Sequence, residues 1–262
     1  MYRLARIGVL ALLCMLPTAA MAGTADDVVA RGRLHVCIWP DYYSITYRSP
    51  RTQELTGIDV DLARAFAADL GVTASFVETS FTGFMDALED RRCDVAMFGV
   101  GITPARAERV DFSEPYLRSG IYAVASRSGG VVRTWDDIDR PGVVVAVQAG
   151  TFMVDAMRRT LAAATLDVVA PPRTREEEVR AGRADVFMSD YPYTRRMVAF
   201  HDWARVIAPA SPFAATSYAY AVRKGDAAWL ERMNAFVRSI KHDGRLAEAA
   251  RRHDLLPIVV AD

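Results

Sequence analysis

Residues Gly99–Tyr116 read Gly-Val-Gly-Ile-Thr-Pro-Ala-Arg-Ala-Glu-Arg-Val-Asp-Phe-Ser-Glu-Pro-Tyr, and the rest of the chain is arranged around this segment. The apolar run Val95–Phe98 before it predicts a buried strand that ends at the glycines. Thr103 and Pro104 predict the start of a short helix, because threonine caps helix N-termini and proline fits the first helical position. Arg106 would then lie in the first helical turn, where the helix dipole disfavours a cation. It is either the receptor for an anion, beside glycines that let a ligand approach the backbone, or a solvated surface arginine.

The chain before this segment has the pattern of two β-α-β units. Apolar runs predict strands at Leu34–Ile38, Ala74–Val77 and Asp94–Phe98. Apolar residues at every fourth position from Ile58 to Leu70 predict an amphipathic helix between the first two strands. A β-α-β-α-β order predicts a parallel sheet with right-handed crossovers.

A similar series of strands and helices follows the segment Gly99–Tyr116. Its strands are predicted at Val143–Val147, Leu166–Ala170 and Asp185–Met188. A helix is predicted from Phe152 to about Leu161, and the charged stretch Arg173–Arg180 is predicted to be a solvated helix face. The hexapeptide Arg92–Met97 resembles Arg183–Met188, which favours two similar lobes with a cleft between them.

Two extended segments are expected to join these lobes. They lie near Ser119–Ala125 and Phe213–Ala219, and they would form a two-stranded hinge. Connections of this kind favour closure around a ligand.

Composition restricts the classes of function. The chain has 262 residues, of which 52% are hydrophobic and 24% charged, with a formal net charge of zero. This is typical of a soluble globular protein, and without a basic excess no nucleic-acid partner is expected.

The first 22 residues are predicted to be a secretory signal peptide. Arg3 and Arg6 form a positive start, Ile7–Leu16 is a short apolar run, and Ala20-Met21-Ala22 is an A-x-A cleavage site. Cleavage after Ala22 would place the mature protein in the periplasm. No lipid anchor is expected, since a leucine rather than a small residue precedes Cys14.

Cys37 and Cys93 are the cysteines that remain after cleavage. In an oxidising compartment such a pair favours a disulfide, which would stabilise the fold by ~4 kcal/mol in the chain-entropy model. The alternative is two inert buried thiols. No metal site is expected, because no histidine lies close in sequence and no C-x-x-C motif occurs.

Large aromatic residues follow the first predicted strand. The loop Trp39–Tyr43 reads Trp-Pro-Asp-Tyr-Tyr, where turn-forming residues are more usual. These side chains either fill a core or line a cleft at the carboxyl end of a strand, where open α/β sheets bind ligands.

Five motifs, in this order, resemble the bacterial periplasmic solute-binding proteins for polar amino acids, family three, of ABC importers. The motifs are Thr-Gly-Ile-Asp-Val-Asp-Leu-Ala from Thr56, Cys-Asp-Val-Ala from Cys93, Gly-Ile-Thr-Pro-Ala-Arg with Val-Asp-Phe-Ser-Glu-Pro-Tyr, Gln-Ala-Gly-Thr, and Gly-Arg-Ala-Asp-Val-Phe-Met-Ser-Asp. The resemblance covers about Arg33 to His253. It implies an α/β fold of two lobes, the type II periplasmic-binding-protein fold, in which each lobe is a mixed, mostly parallel sheet flanked by helices. Residues 23–118 plus 216–262 are expected to form one lobe and residues 119–215 the other.

The resemblance also implies roles for particular residues. Arg106 is expected to bind the ligand α-carboxylate, with backbone N–H groups at Gly101 and at the Thr151-Phe152 helix start. Asp190 and the Gly99 carbonyl are expected to bind the α-ammonium. The aromatic walls implied by the family are Tyr42 and Phe81.

Two departures from the family pattern bear on the ligand. Trp39 stands where many relatives have an aspartate for a basic or amide side chain, and Gly101 stands where a serine or threonine hydroxyl is common. The second lobe also contributes Gln148 and Phe152. A pocket with these walls favours a neutral or aromatic amino acid, or a related carboxylate, as the ligand. The protein is expected to be a monomer without a cofactor that delivers this ligand to an ABC permease.

Two other branches of similar fold are alternatives. One is the cyclohexadienyl (prephenate or arogenate) dehydratases, whose reaction needs a general acid. The stretch after Asp190, Tyr191–Thr194, offers no second carboxylate, and His35, His201, His242 and His253 are interpreted as structural or surface residues. The other branch is the periplasmic accessory proteins of quinoprotein dehydrogenases, which generally lack the pair of Arg106 and Asp190.

Overall fold

The computed structural model describes residues 23–261. The predicted signal peptide and its cleavage after Ala22 lie outside the described residues and stay predictions. Within residues 23–261, no helix is long and apolar enough to span a membrane.

Fourteen strands and nine α-helices make up the described chain. The strands are β1 Arg33–Ile38, β2 Asp41–Tyr42, β3 Thr46–Arg48, β4 Leu55–Thr56, β5 Thr73–Glu78, β6 Val95–Gly101, β7 Val110–Phe112, β8 Leu117–Ser119, β9 Ile121–Ser126, β10 Val144–Gln148, β11 Thr165–Val169, β12 Val186–Asp190, β13 Ala204–Ile207 and β14 Thr216–Arg223. The α-helices are α1 Thr24–Arg31, α2 Ile58–Asp69, α3 Phe84–Glu89, α4 Pro104–Ala107, α5 Phe152–Thr160, α6 Arg175–Arg180, α7 Tyr191–Phe200, α8 Ala227–His242 and α9 Arg245–Arg252. Short 3-10 turns occur at Trp135–Asp137 and Leu256–Ile258.

Three sheets divide these strands: two large sheets, each at the centre of one lobe, and a small sheet of β2, β3 and β4. The sheet of lobe 1 has the order β5-β1-β6-β14-β7, with β8 also paired to β14. The sheet of lobe 2 has the order β11-β10-β12-β9-β13. In both, three neighbouring strands run parallel and the later strands join antiparallel, so each sheet is mixed. The predicted β-α-β units are confirmed.

Burial explains why these strands lie at the centre. All seven residues of β6 and all five of β12 are buried, as expected of strands covered on both faces by helices. Helix α8 covers lobe 1 with an apolar stripe that repeats at helical spacing. Its buried members are Trp229, Met233, Phe236, Val237 and Ile240. Burying a large apolar side chain contributes about 1.5–3 kcal/mol, so this stripe fixes the helix on the sheet.

A disulfide joins Cys37 in β1 to Cys93, just before β6, with 5.5 Å between their Cα atoms. The parallel pairing of β1 with β6 places the segment just before β6 beside β1, and the two cysteines meet there. The predicted disulfide is confirmed.

The crossings between the lobes are extended and lie side by side. Strand β8 pairs with β14, with Ser119 opposite Thr216, and the Ile121 amide donates to the Phe213 carbonyl at 2.9 Å. The chain thus passes from one sheet to the other along two adjacent strands.

The structure corrects the prediction that Arg173–Arg180 is a solvated face. Arg175 is 2% exposed and Glu178 is 1% exposed, because α6 packs onto the sheet of lobe 2. Glu178 lies 2.7 Å from Arg183 and 3.1 Å from Arg173. Hydrogen bonds from these two arginines lower the Glu178 pKa to about 2. Charged residues can be buried when they are paired in this way.

Candidate ligand-binding site

A cavity between the lobes, the central cavity, lies where β1, β6 and β12 end and where α5 begins. Seven of the ten predicted site residues line it. The lining consists of Trp39, Tyr42, Phe81, Gly99, Thr151, Phe152, Met153, Arg175, Ser189 and Asp190. Ligands of open α/β sheets bind at this edge of the strands.

Arg106 is buried beside this cavity, with 5% of its surface exposed. The Thr103 hydroxyl accepts a hydrogen bond from the Arg106 amide, as predicted for the cap of α4. The guanidinium donates from Nη1 to the Gly101 carbonyl at 2.6 Å and from Nη2 to the Gly150 carbonyl at 2.8 Å. Among residues 23–261 no carboxylate forms an ion pair with it, and burial lowers its pKa to about 10. The structure therefore decides against a solvated surface arginine.

Gly150 allows this contact between the lobes. Its φ of +77° is left-handed, and a Cβ there would lie 2.6 Å from a Thr82 methyl and 2.9 Å from the Phe81 backbone. Only glycine permits both the backbone conformation and the close approach.

Asp190 is fully buried at the end of β12. One oxygen caps α7 by accepting from the Tyr193 amide at 3.3 Å. The other accepts from the Tyr42 hydroxyl and, at 2.5 Å, from the Tyr218 hydroxyl. Removal from water raises the Asp190 pKa, since its hydrogen bonds from tyrosine hydroxyls and an amide offset that effect only in part.

The aromatic loop lines the cleft and does not serve only as core filling. The ring centroids of Trp39 and Phe81 are 5.2 Å apart, and those of Trp39 and Tyr42 are 5.6 Å apart. Within the predicted loop Trp39–Tyr43, Asp41–Tyr42 form β2, which pairs antiparallel with β3 in a hairpin. Of these three rings only Tyr42 belongs to the hairpin; Trp39 follows β1 and Phe81 follows β5.

The absence of a side chain at Gly101 has a structural reason. A Cβ at this position would lie 3.1 Å from the Phe152 ring and 3.1 Å from the Thr216 methyl. The aromatic ring from lobe 2 thus takes the space beside Gly101. The residues Gly101 and Phe152 are complementary across the cleft.

Arg175 is a site residue that the sequence interpretation missed. Its guanidinium lies 4.1 Å from the Tyr193 ring centroid, its Nε lies 3.0 Å from Glu176, and its Nη1 donates to the Met188 carbonyl at 3.3 Å. The argument applied to Arg106 could have found it, since Arg175 directly follows the cap residue Thr174. The sequence interpretation also missed two cavity residues, Met153 and Ser189, and two partners of Asp190, Tyr193 and Tyr218. Of these four, only Tyr193 gave a signal, because it lies in the first turn after the Asp190 cap.

Gln148 does not line the central cavity. It lies in a second cavity, the outer cavity, between the hairpin of lobe 1 and the loop after β11. The outer cavity is lined by Trp39, Asp41, Tyr43, Tyr47, Arg48, Pro50, Gln148, Pro171, Pro172, Arg173, Thr174, Glu176 and Tyr193. Trp39 borders both cavities.

Comparison with known proteins assigns the family. Residues 34–254 match the model of the bacterial extracellular solute-binding proteins, family 3. The chain belongs to this family. The resemblance stated from the motifs is therefore confirmed.

Relatives of this family 3 protein include both binding proteins and an enzyme. It is 31% identical to the cyclohexadienyl dehydratase of Pseudomonas aeruginosa, over 83% of this chain and 81% of that protein. It is 29% identical to the L-cystine-binding protein TcyJ of Escherichia coli, over 93% and 94% of the two chains.

Solved structures confirm the type II periplasmic-binding-protein fold. The ancestral amino acid-binding protein AncCDT-1, a precursor of cyclohexadienyl dehydratase, matches with a TM-score of 0.80 at 31% identity, over 88% of this chain and 99% of that chain. A mutant of ArgBP from T. maritima matches with a TM-score of 0.79 at 27% identity, over 88% and 98%.

Proposed function

We propose that this family 3 protein binds an amino acid in the central cavity and delivers it to an ABC importer of the inner membrane. The observation that carries the proposal is the state of Arg106. Its guanidinium is buried, donates to one backbone carbonyl from each lobe, and has no carboxylate partner in the described chain. A ligand carboxylate would supply the missing counter-ion, and its binding would favour the closed arrangement of the lobes.

The start of α5 supports the same site for the carboxylate. Thr151 is the cap residue, yet its hydroxyl donates to the Gln148 carbonyl, and within the described structure no side chain caps the helix. The first N–H groups of a helix without a side-chain cap attract anions. Arg106 from lobe 1 and these amides from lobe 2 would therefore bind one carboxylate together.

Asp190 is the proposed partner of the α-ammonium, together with the Gly99 carbonyl. Both residues line the central cavity. A ligand ammonium would stabilise the ionised carboxylate, which burial now disfavours. The hydroxyls of Tyr42 and Tyr218 would either keep donating to Asp190 or give up these hydrogen bonds to the ligand ammonium.

The side chain of the ligand is proposed to be neutral or aromatic. Trp39, Phe81 and Phe152 provide apolar walls, and Asp190 is the one carboxylate among the described lining residues. The buried guanidinium of Arg175 in the same lining makes a basic side chain still less favourable.

Closure around the ligand would use the two-stranded crossing as a hinge. We place lobe 1 at residues 23–118 plus 216–262 and lobe 2 at residues 119–215. The mature protein would act as a periplasmic monomer, and the confirmed disulfide is consistent with an oxidising compartment.

A dehydratase activity is the second candidate, and one observation favours it besides the enzyme relative. Asp190 is a buried carboxyl whose raised pKa would let it hold a proton for a leaving hydroxyl. In that case it could not also pair with an ammonium.

Calorimetric titration of residues 23–262 with each amino acid, together with a spectroscopic assay of prephenate turnover, tests the two candidates. We expect saturable binding of a neutral or aromatic amino acid and no turnover. Turnover of prephenate without binding of any amino acid would reject the transport function and support the enzyme.

A further inference from the structure

Asp59 is a buried carboxyl that the proposed binding site does not use. It lies in the first turn of α2, is fully buried, and is not among the residues that line the central cavity. No ion pair stabilises it in the part of the chain that the structure describes. A buried carboxyl without a counter-ion is costly unless hydrogen bonds compensate it, so its hydrogen-bond partners indicate what it does.

Three donors surround the Asp59 carboxylate. Its Oδ2 accepts a hydrogen bond from the Gly99 amide at 2.8 Å and from the Tyr116 hydroxyl at 2.6 Å, and its Oδ1 accepts from the Tyr220 hydroxyl at 3.2 Å. An ionised carboxylate only accepts hydrogen bonds, and its charge makes them stronger than neutral ones. The two tyrosines hold the carboxylate in place. The Gly99 amide, in contrast, belongs to a residue in the wall of the central cavity.

The Gly99 amide needs this acceptor because the sheet of lobe 1 is irregular at this point. Strand β14 pairs with β6 at Val100, opposite Ala219, and again at Ala96, opposite Ala221. The register shifts between these two positions, and within the described sheet Gly99 has no partner residue. A buried amide that the ladder leaves unpaired must find another acceptor. Irregularities of this kind redirect groups beside functional sites.

The backbone of Gly99 also has a conformation that must be selected from several. Its φ of +63° is left-handed, and a Cβ there would lie 3.0 Å from a ring carbon of Tyr42. Glycine has more conformational freedom than any other residue, so a fixed partner for its amide helps to select one conformation. The hydrogen bond to Asp59 is such a partner, and the direction of the Gly99 carbonyl depends on the conformation that it selects.

We propose that Asp59 is a positioning residue for the ammonium part of the central cavity. It holds the Gly99 amide from behind the cavity wall and thereby fixes the conformation in which the Gly99 carbonyl accepts a hydrogen bond from the ligand. This inference rests on the proposed function, in which that carbonyl and Asp190 bind the α-ammonium. Asp59 itself does not touch the ligand. It acts on the ammonium end and not on the carboxylate end at Arg106.

An amino acid and its des-amino acid test this role, because they differ only in the ammonium group. The probes are L-phenylalanine with 3-phenylpropanoate and L-leucine with 4-methylpentanoate, titrated calorimetrically into residues 23–262. Burial raises the Asp59 pKa to about 7, so titration at about pH 8 keeps the carboxyl mostly ionised.

Two substitutions of Asp59 separate the acceptor from the shape of the side chain. Asp59→Leu removes the acceptor and should weaken the amino acid at least about tenfold, while the affinity for the des-amino acid changes less than about twofold. Asp59→Asn keeps one oxygen for the Gly99 amide and should weaken the amino acid only about threefold, with the same selectivity. Urea unfolding shows which variants fold, and Asp59→Asn alone decides the matter if Asp59→Leu does not.

Asp61→Asn is the matched control, because Asp61 lies in the same turn of α2 and pairs with Arg252 and His253 away from the cavity. It should leave both affinities unchanged. The proposal is overturned if the folded Asp59 variants lose affinity for both compounds by the same factor, as a general disturbance of the fold would produce, or for neither. A wild-type protein that does not prefer the amino acids to their des-amino acids would instead reject the ammonium site and the proposed function with it.

Discussion

Replacing Arg106 by methionine should raise the ligand Kd by two to three orders of magnitude while destabilising the empty protein by about 3 kcal/mol at most. Burial lowers the Arg106 pKa from 12.5 to about 10, and at ~1.4 kcal/mol per pKa unit this means that the charged form is disfavoured by about 3 kcal/mol. Removing the guanidinium removes that cost. It also removes the two hydrogen bonds to the Gly101 and Gly150 carbonyls, each worth about 1.5–3 kcal/mol for a charged donor. At the low end of that range the opposing contributions nearly cancel, and at the high end the empty protein loses about 3 kcal/mol.

They do not cancel when the ligand is bound. The carboxylate would then lie buried beside a methionine, without the bidentate partner that makes such pairs strong. A loss of about 3–4 kcal/mol corresponds to a Kd raised by two to three orders of magnitude. Arg106→Lys should recover part of the affinity, because it keeps the charge but not the fork geometry.

Calorimetric titration with the amino acid found in the screen measures the affinity, and urea unfolding measures the stability. Arg109→Met is the matched control, since Arg109 lies three residues away on the surface and pairs with Asp86 and Glu89. A Kd for Arg106→Met within threefold of the wild-type value would refute the assignment of Arg106 to the carboxylate.

The remaining predictions concern pH, closure and the disulfide. Burial raises the Asp59 pKa to about 7, so the folded protein keeps a proton that the unfolded chain releases near pH 4. Stability should therefore fall as the pH rises from about 4 to about 7, at ~1.4 kcal/mol per pH unit from this group. In Asp59→Asn, urea unfolding at pH 5 and 7 should show a smaller change of unfolding free energy with pH. An unchanged pH dependence in this variant would contradict the attribution to Asp59. Gly150→Ala should weaken ligand binding at least tenfold, because the added Cβ opposes closure of the lobes. Gly182 also has a left-handed φ, +69°, but no neighbour within 4 Å, so the control Gly182→Ala should leave binding unchanged. Small-angle scattering with ligand should show an open Gly150→Ala protein. Reducing the disulfide of Cys37 and Cys93 should lower the unfolding free energy by ~4 kcal/mol, and a titration that finds free thiols in the unfolded, unreduced protein would exclude the bond in solution.

Local patterns predicted most of the framework. The start of α4 at Pro104 follows from the Thr103 cap and the proline, both of which act within one helical turn. The strand predicted at Asp94–Phe98 is observed at Val95–Gly101. The strand extends into the glycines because β14 pairs with it from a distant part of the chain.

Prediction was weakest where a side chain depends on the opposite lobe or on a neighbouring helix. Strand β2, Asp41–Tyr42, falls within the stretch Trp39–Tyr43 that was predicted as a loop, since a two-residue strand rich in aromatics carries little periodicity. Arg175 looked like part of a solvated face because three glutamates follow it. The helix buries it by packing onto the sheet, and the charge is tolerated because Glu176 lies 3.0 Å away.

The sequence by itself determined the family, the β-α-β order, the pair of cysteines and the segment that contains Arg106, because each depends on residues close together or on motifs in a fixed order. Only the tertiary structure decided what these groups meet. It places the Gly150 carbonyl of lobe 2 on Arg106, two tyrosine hydroxyls on Asp190, and Gln148 in the outer cavity. Such contacts join residues far apart in the chain, and they depend on how closely the two lobes approach each other.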